Sequence, residues 1–139
     1  RLLEEHKGTP QSIRADIFIG DSYAGIGRID EALEYYEKAL ANATELKTAA
    51  LASNRLAEYY QSKGALKKTK MYYQKIISTY PEYFQGEIDT KFALAEELAQ
   101  AGFPLIAAGI ADILRKPLGK LSKDKEKLLY YAGIWRQEG

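Results

Sequence analysis

Four glycines, Gly27, Gly64, Gly102 and Gly139, stand 37, 38 and 37 residues apart, and each closes a stretch whose residues recur at the same offsets. Ile19, Gly20 and Tyr23 precede the first; Leu56, Ala57 and Tyr60 the second; Leu94, Ala95 and Leu98 the third; Tyr131, Ala132 and Trp135 the fourth. A chain with this period is expected to bury its apolar faces by stacking one copy on the next. Three of the glycines are followed by a second series: Ala32, Tyr36, Ala39; then Thr69, Tyr73, Ile76; then Ala107, Ala111, Leu114. Spacings of three and four residues place each series on one face of a helix. The small residues Gly20, Ala57, Ala95 and Ala132 allow close helix approach. The rings of Tyr36 and Tyr73 are expected to fill the space opposite them.

Local signals agree. Gly27, Gly64 and Gly102 fall where a helix ends in a left-handed residue, which costs glycine no steric penalty. Asp30 and Glu31 fit the first turn of the following helix, against its dipole. Pro104 suits an early helical position, and Pro81 and Pro117 lie beyond the second helices as stops. No segment alternates β-branched residues between turn signals. The sequence therefore predicts an all-α chain of helix–turn–helix units.

Composition narrows the chemistry. A chain of 139 residues is one domain's worth, and 46% hydrophobic with 28% charged residues is a globular balance. With no cysteine and a single histidine, His6, thiolate zinc sites, cysteine nucleophiles and histidine metal cages are excluded. No metal or cofactor is expected. Twenty basic residues against nineteen acidic ones leave a charge of +1, without the overall basicity of a dedicated nucleic-acid binder. Two basic runs, Lys63 to Lys75 and Arg115 to Lys127, read as solvated outer faces. No apolar run approaches the ~18–20 residues of a membrane span, and no signal peptide pattern opens the chain.

The repeated residues resemble the tetratricopeptide repeat family, whose pattern runs W-x2-L-G-x2-Y, then A-x3-F, then Pro. The first full unit matches in order with Ile19-Gly20, Tyr23, Gly27, Ala32, Tyr36 and Ala39; Asp16 replaces the tryptophan and Thr44 the proline. The second keeps Leu56-Ala57, Tyr60, Gly64, Tyr73 and Pro81, and the third Leu94-Ala95, Leu98, Gly102, Ala107 and Ala111. The resemblance implies a right-handed α-solenoid of antiparallel helix pairs, with repeats at 13–44, 47–82 and 86–118. Residues 1–10 would end a preceding repeat, with Pro10 at its close. Residues 121–139 would form the first helix of a fourth repeat, or a capping helix that leaves Trp135 exposed. A chain that begins and ends inside repeat units is expected to be a fragment of a longer array. The period exceeds the family's 34 by about one helical turn, which lengthens helices without rotating their apolar faces. That length, with the ending Thr79-Tyr80-Pro81, looks like the repeats of bacterial envelope proteins.

In such proteins the first helices line a concave groove. Carried over, the groove residues are Arg14, Ile17 and Asp21, then Leu51, Asn54 and Glu58, then Asp89, Phe92 and Glu96, with Glu126 and Leu129 joining from the fourth unit. Asp21, Glu58 and Glu96 occupy equivalent offsets and should make the groove mildly acidic, favouring a partner segment with Lys or Arg. Ile17 and Phe92 are expected to offer apolar contact. A carboxylate clamp is not expected, because the corresponding places hold Ile17, Asp21, Asp89 and Ala93. The resemblance thus implies a non-catalytic protein–protein interaction scaffold, in the cytoplasm or the bacterial envelope, whose exposed terminal repeats offer a route to homo-oligomers. The alternative is a periplasmic module of a secretion or exopolysaccharide-export apparatus that binds polymer. A third reading takes Gly20-Asp21-Ser22 as a hydrolase nucleophile block. It fits poorly, because His6 lies upstream and no strand leads into Ser22.

Overall fold

The computed structural model describes residues 9–119 and 122–139; the expected preceding-repeat tail at residues 1–8, His6, Lys120 and Leu121 lie outside them. Among the described residues there are seven α-helices and no strand. They are α1 (Pro10–Gly25), α2 (Ile29–Asn42), α3 (Leu46–Ser62), α4 (Leu66–Thr79), α5 (Ile88–Gln100), α6 (Pro104–Arg115) and α7 (Lys123–Glu138). A 3-10 turn, Pro81–Phe84, precedes α5. The chain divides into two compact units, one ending at Tyr80 and one beginning at Pro81.

The helix ends follow from the glycines. Gly27, Gly64 and Gly102 hold φ of 82°, 78° and 99°. In each turn the next residue's N–H reaches back to the carbonyl four residues before the glycine: Arg28 to Tyr23 at 2.9 Å, Ala65 to Tyr60 at 2.9 Å and Phe103 to Leu98 at 2.8 Å. This reverse bond occupies a carbonyl that the helix end would leave open. At the other end of α1, Thr9 caps the helix by accepting from the Ser12 N–H at 3.1 Å. Pro10, expected to close a preceding unit, instead opens α1 as its first residue, where a missing N–H is harmless. Asp30 and Glu31 do lie in the first turn of α2, and Pro104 opens α6.

In the first unit, α1 packs on α2, α3 on α4, α2 on α3, and α1 also meets α3. Tyr36 and Tyr73 are buried, as are Gly20, Ala57, Leu56 and Ile76. Two ring pairs recur with the repeat: Tyr23 stacks on Tyr35 at 5.6 Å and Tyr60 on Tyr72 at 5.9 Å. Arg28 lies over Tyr23 and Lys68 over Tyr60. Asp16, which stands where the family has tryptophan, is buried with Lys38 3.9 Å away. Its carboxyl is pushed above the usual range by desolvation, against the pull of Lys38.

In the second unit α6 packs between α5 and α7, with the 3-10 turn against it. Ile106, Ile110, Leu114 and Ala107 are buried along α6, beside Phe84, Leu98, Leu128 and Trp135. Trp135, which the capping reading would leave exposed, is 5% exposed because Phe92 lies against it at 5.8 Å.

Two helices approach closely at Gly20. A Cβ there would stand 2.7 Å from Tyr36 Cε1 and 2.9 Å from Cδ1. The ring has little room to retreat, because it stacks on Tyr59 at 5.8 Å and its hydroxyl is bonded to Asp21. Overpacking costs ~1–3 kcal/mol, and alanine's better helix propensity returns at most ~1 kcal/mol. Gly20→Ala should therefore lower unfolding stability by about 1–2 kcal/mol in urea denaturation. Gly25→Ala, whose Cβ meets open space, should be neutral or mildly stabilising.

Candidate functional site

Arg14, Asp21, Leu51 and Glu58 lie on the first helices of the first unit, α1 and α3. Arg14 and Glu58 are exposed, and Asp21 and Leu51 half-buried. Ile17 and Asn54 are buried, and so is Phe92 on α5. The apolar contact expected of Ile17 and Phe92 is therefore spent inside the protein. The reason is a rotation of about one residue, or ~100° around the helix. Residues ten before each turn glycine (Ile17, Asn54, Phe92) face the packing, while those nine before it (Phe18, Arg55, Ala93, Tyr130) face outward to a greater degree. Phe18 is 71% exposed and Tyr130 66%. The outward stripe thus runs Arg14, Phe18, Asp21 on α1, and Leu51, Arg55, Glu58 on α3.

Arg55, which the sequence reading missed, changes the electrostatics. Its Nε donates to Asp21 Oδ1 at 2.9 Å, and Tyr36 OH donates to the same oxygen at 2.5 Å. One carboxylate thereby joins α1, α2 and α3. The Tyr36 hydroxyl is pushed well above its ordinary pKa, by burial first and then by its bond to Asp21. Glu58 is also raised, by desolvation first and further by Asp21, against the attraction of Arg55. In this unit Arg14 and Arg55 balance Asp21 and Glu58, so the acidic character expected of the stripe is corrected to a balanced one. The signal available in the sequence was the offset itself: Arg55 stands on the stripe in register with Phe18 and Ala93.

The second unit differs. Asp89 is exposed and Glu96 half-buried on α5, with Glu126 and Leu129 exposed on α7. Among the described residues none of these three acids enters a salt bridge. The basic runs are partly absorbed: Lys63 pairs with Asp30, Arg115 with Asp112, and Lys127 sits 4.2 Å over the Phe92 ring.

Ser22, the nucleophile of the hydrolase reading, is exposed and no strand leads into it. It lies within α1, and its hydroxyl donates back to the Phe18 carbonyl at 3.0 Å. Among the described residues no group of three or more His, Asp or Glu is placed to hold a metal ion. No helix among them is long and apolar enough to cross a membrane.

Residues 17–44, the second half of α1 through the end of α2, match the tetratricopeptide repeat model. This span is a tetratricopeptide repeat. No curated protein matches it closely enough to count as a relative. Tetratricopeptide repeats generally mediate protein–protein interaction, typically without catalysis. Here the matched span contains the Gly20–Tyr36 contact between α1 and α2, the Tyr23–Tyr35 stack and the turn at Gly27.

The raised carboxyls make stability depend on pH. A folded-state pKa above the unfolded one means that the native chain binds more protons, so stability falls as pH rises through the interval. For Glu58 that interval begins at its ordinary value of 4.5 and extends upward. Stability should decline with pH across that range, and Glu58→Gln should flatten the decline. Urea midpoints measured between about pH 4 and pH 8 would test this; an unchanged slope in the variant would refute the assignment.

Proposed function

We propose that this tetratricopeptide repeat protein is a non-catalytic scaffold that holds an extended or helical partner segment on the outward stripe of its first helices. The observation that carries the reading is the Phe18 ring, 71% exposed among charged neighbours in register on α1 and α3. An exposed ring between Arg14 and Asp21 supplies the apolar anchor that a peptide site needs, with polar groups around it to set direction. The Arg55–Asp21–Tyr36 junction braces the helices beneath, so little ordering cost falls on the scaffold when a partner binds. In the second unit, taken by itself, the acids without salt bridges, Asp89 and Glu96, favour contact with Lys or Arg.

Binding of an envelope polysaccharide would need free rings for sugars to stack on. The stacked pairs Tyr23–Tyr35, Tyr36–Tyr59 and Tyr60–Tyr72 engage each other, which leaves Phe18 and Tyr130 as exposed rings that a sugar could stack on and makes polymer binding the alternative to be tested.

Calorimetric titration with amphipathic basic peptides, acidic peptides of equal length and oligosaccharides would decide between them. The basic peptides should bind with an affinity that falls as salt is raised. Phe18→Ala should weaken that binding about tenfold or more while leaving the unfolding midpoint nearly unchanged, as truncation of an exposed anchor does. Ile17→Ala should act the other way, lowering stability by ~2–5 kcal/mol because its side chain is buried. Binding of oligosaccharides alone, or turnover by the chain, would overturn the reading.

A further inference from the structure

We propose that the cleft between α5 and α7 is a receptor for an arginine side chain of the partner segment; this rests on the scaffold reading above. The cleft is lined by Glu96, Ala99 and Gln100 from α5 and by Tyr131, Trp135 and Glu138 from α7, and holds about 220 Å3. That is below the ~300–1,000 Å3 of small-molecule pockets and suits one side chain of a larger partner.

Its chemistry is cationic in preference for three independent reasons. First, two carboxylates, Glu96 and Glu138, line the cleft from its two helices, and among the described residues neither enters a salt bridge. Second, both stand in or near the last turn of their helices, where the backbone dipole is already negative. No basic residue offsets that in the last turn of α5, and the one in α7, Arg136, is turned to Asp112. Carboxylates at these ends cost the free protein some stability, and a bound cation would relieve it. Third, the wall is aromatic. Tyr131 and Trp135 lie 5.5 Å apart, and both pack on Phe92, at 5.1 and 5.8 Å.

The same ring cluster already holds a cation elsewhere, since the Lys127 ammonium lies 4.2 Å over Phe92. Lys127 precedes Trp135 by eight residues, a backbone rise of about 12 Å along α7, and its ammonium is engaged over Phe92 rather than with Glu138. A planar guanidinium can stack on a ring while its N–H groups reach carboxylates on both sides; an ammonium has no plane to stack. Arginine is therefore preferred over lysine.

Trp135 is the only tryptophan in the chain, so its emission reports on this cleft alone. The test uses short capped peptides identical except for a central arginine, lysine, citrulline or glutamate, followed by Trp135 fluorescence and by calorimetry. The arginine peptide should change the emission saturably, the lysine peptide more weakly, and the uncharged citrulline peptide and the glutamate peptide not at all. Glu96→Gln and Glu138→Gln, both near-isosteric, should each weaken arginine binding by about fivefold, and raising salt should weaken it in the unaltered protein. Equal binding of the citrulline peptide, or arginine binding indifferent to both substitutions and to salt, overturns the cleft assignment. If calorimetry still detects basic peptides with Trp135 silent, the scaffold reading stands and the cleft falls. If no basic peptide binds by either method, both fall.

Discussion

Tyr36 is the joint on which the first unit depends. Its ring closes against the backbone of Gly20 and stacks on Tyr59, and its hydroxyl ends on the Asp21 carboxylate. That carboxylate is in turn held by Arg55 from the next repeat. Burying a tyrosine this completely leaves a polar group that must find a partner, since an unpaired buried hydroxyl costs ~1–3 kcal/mol. Asp21 fulfils that need, and the same oxygen also accepts from Arg55. Packing and electrostatics are thus not separate layers here. The small residue permits the ring, the ring demands the acceptor, and the acceptor recruits the cation.

This chain of dependence explains which parts of the fold were legible in the sequence. Small residues seven places before each turn glycine, and large ones nine places after two of them, encode helix approach directly, because volume complementarity is a property of residue type and spacing. The turns were equally legible, since a left-handed φ selects glycine. The Asp21–Arg55 pair was not. Periodicity assigns a residue to a face, but it does not say which side chain of the next repeat will reach across to it. Several cations and acids share the stripe at equivalent offsets, and only the packed helices select one pairing.

The stripe itself shows the resolution of such reasoning. Positions ten and nine before the glycine differ by ~100° of rotation, and both belong to a plausible first-helix face. Ile17 and Phe92 look like contact residues and are core, while Phe18, one position on from Ile17, is surface. The distinction arises because consecutive first helices also pack on each other, as α1 does on α3, which draws the inner edge of the apolar face around by one position. Hydrophobicity gives no warning, since a partner-binding surface and a core are made of the same residues. Comparing repeats would have helped more. Phe18, Arg55, Ala93 and Tyr130 share one offset and no common chemistry, as expected of a position that solvent tolerates.

The same variation accounts for the contrast between the two units. At the offset six before the glycine, Asp21 and Glu96 are both acids, yet one is neutralised and the other is not. The difference traces to the position three residues earlier on the neighbouring first helix, where the first unit has Arg55. In α7 the corresponding residue is Tyr130, which brings no charge and whose edge meets Tyr131 at 5.3 Å. A repeat architecture can therefore keep its packing register constant while changing the charge of its face one residue at a time. Such positions contribute little to the fold, so among the described residues the acids of α5 and α7 can remain without a salt bridge.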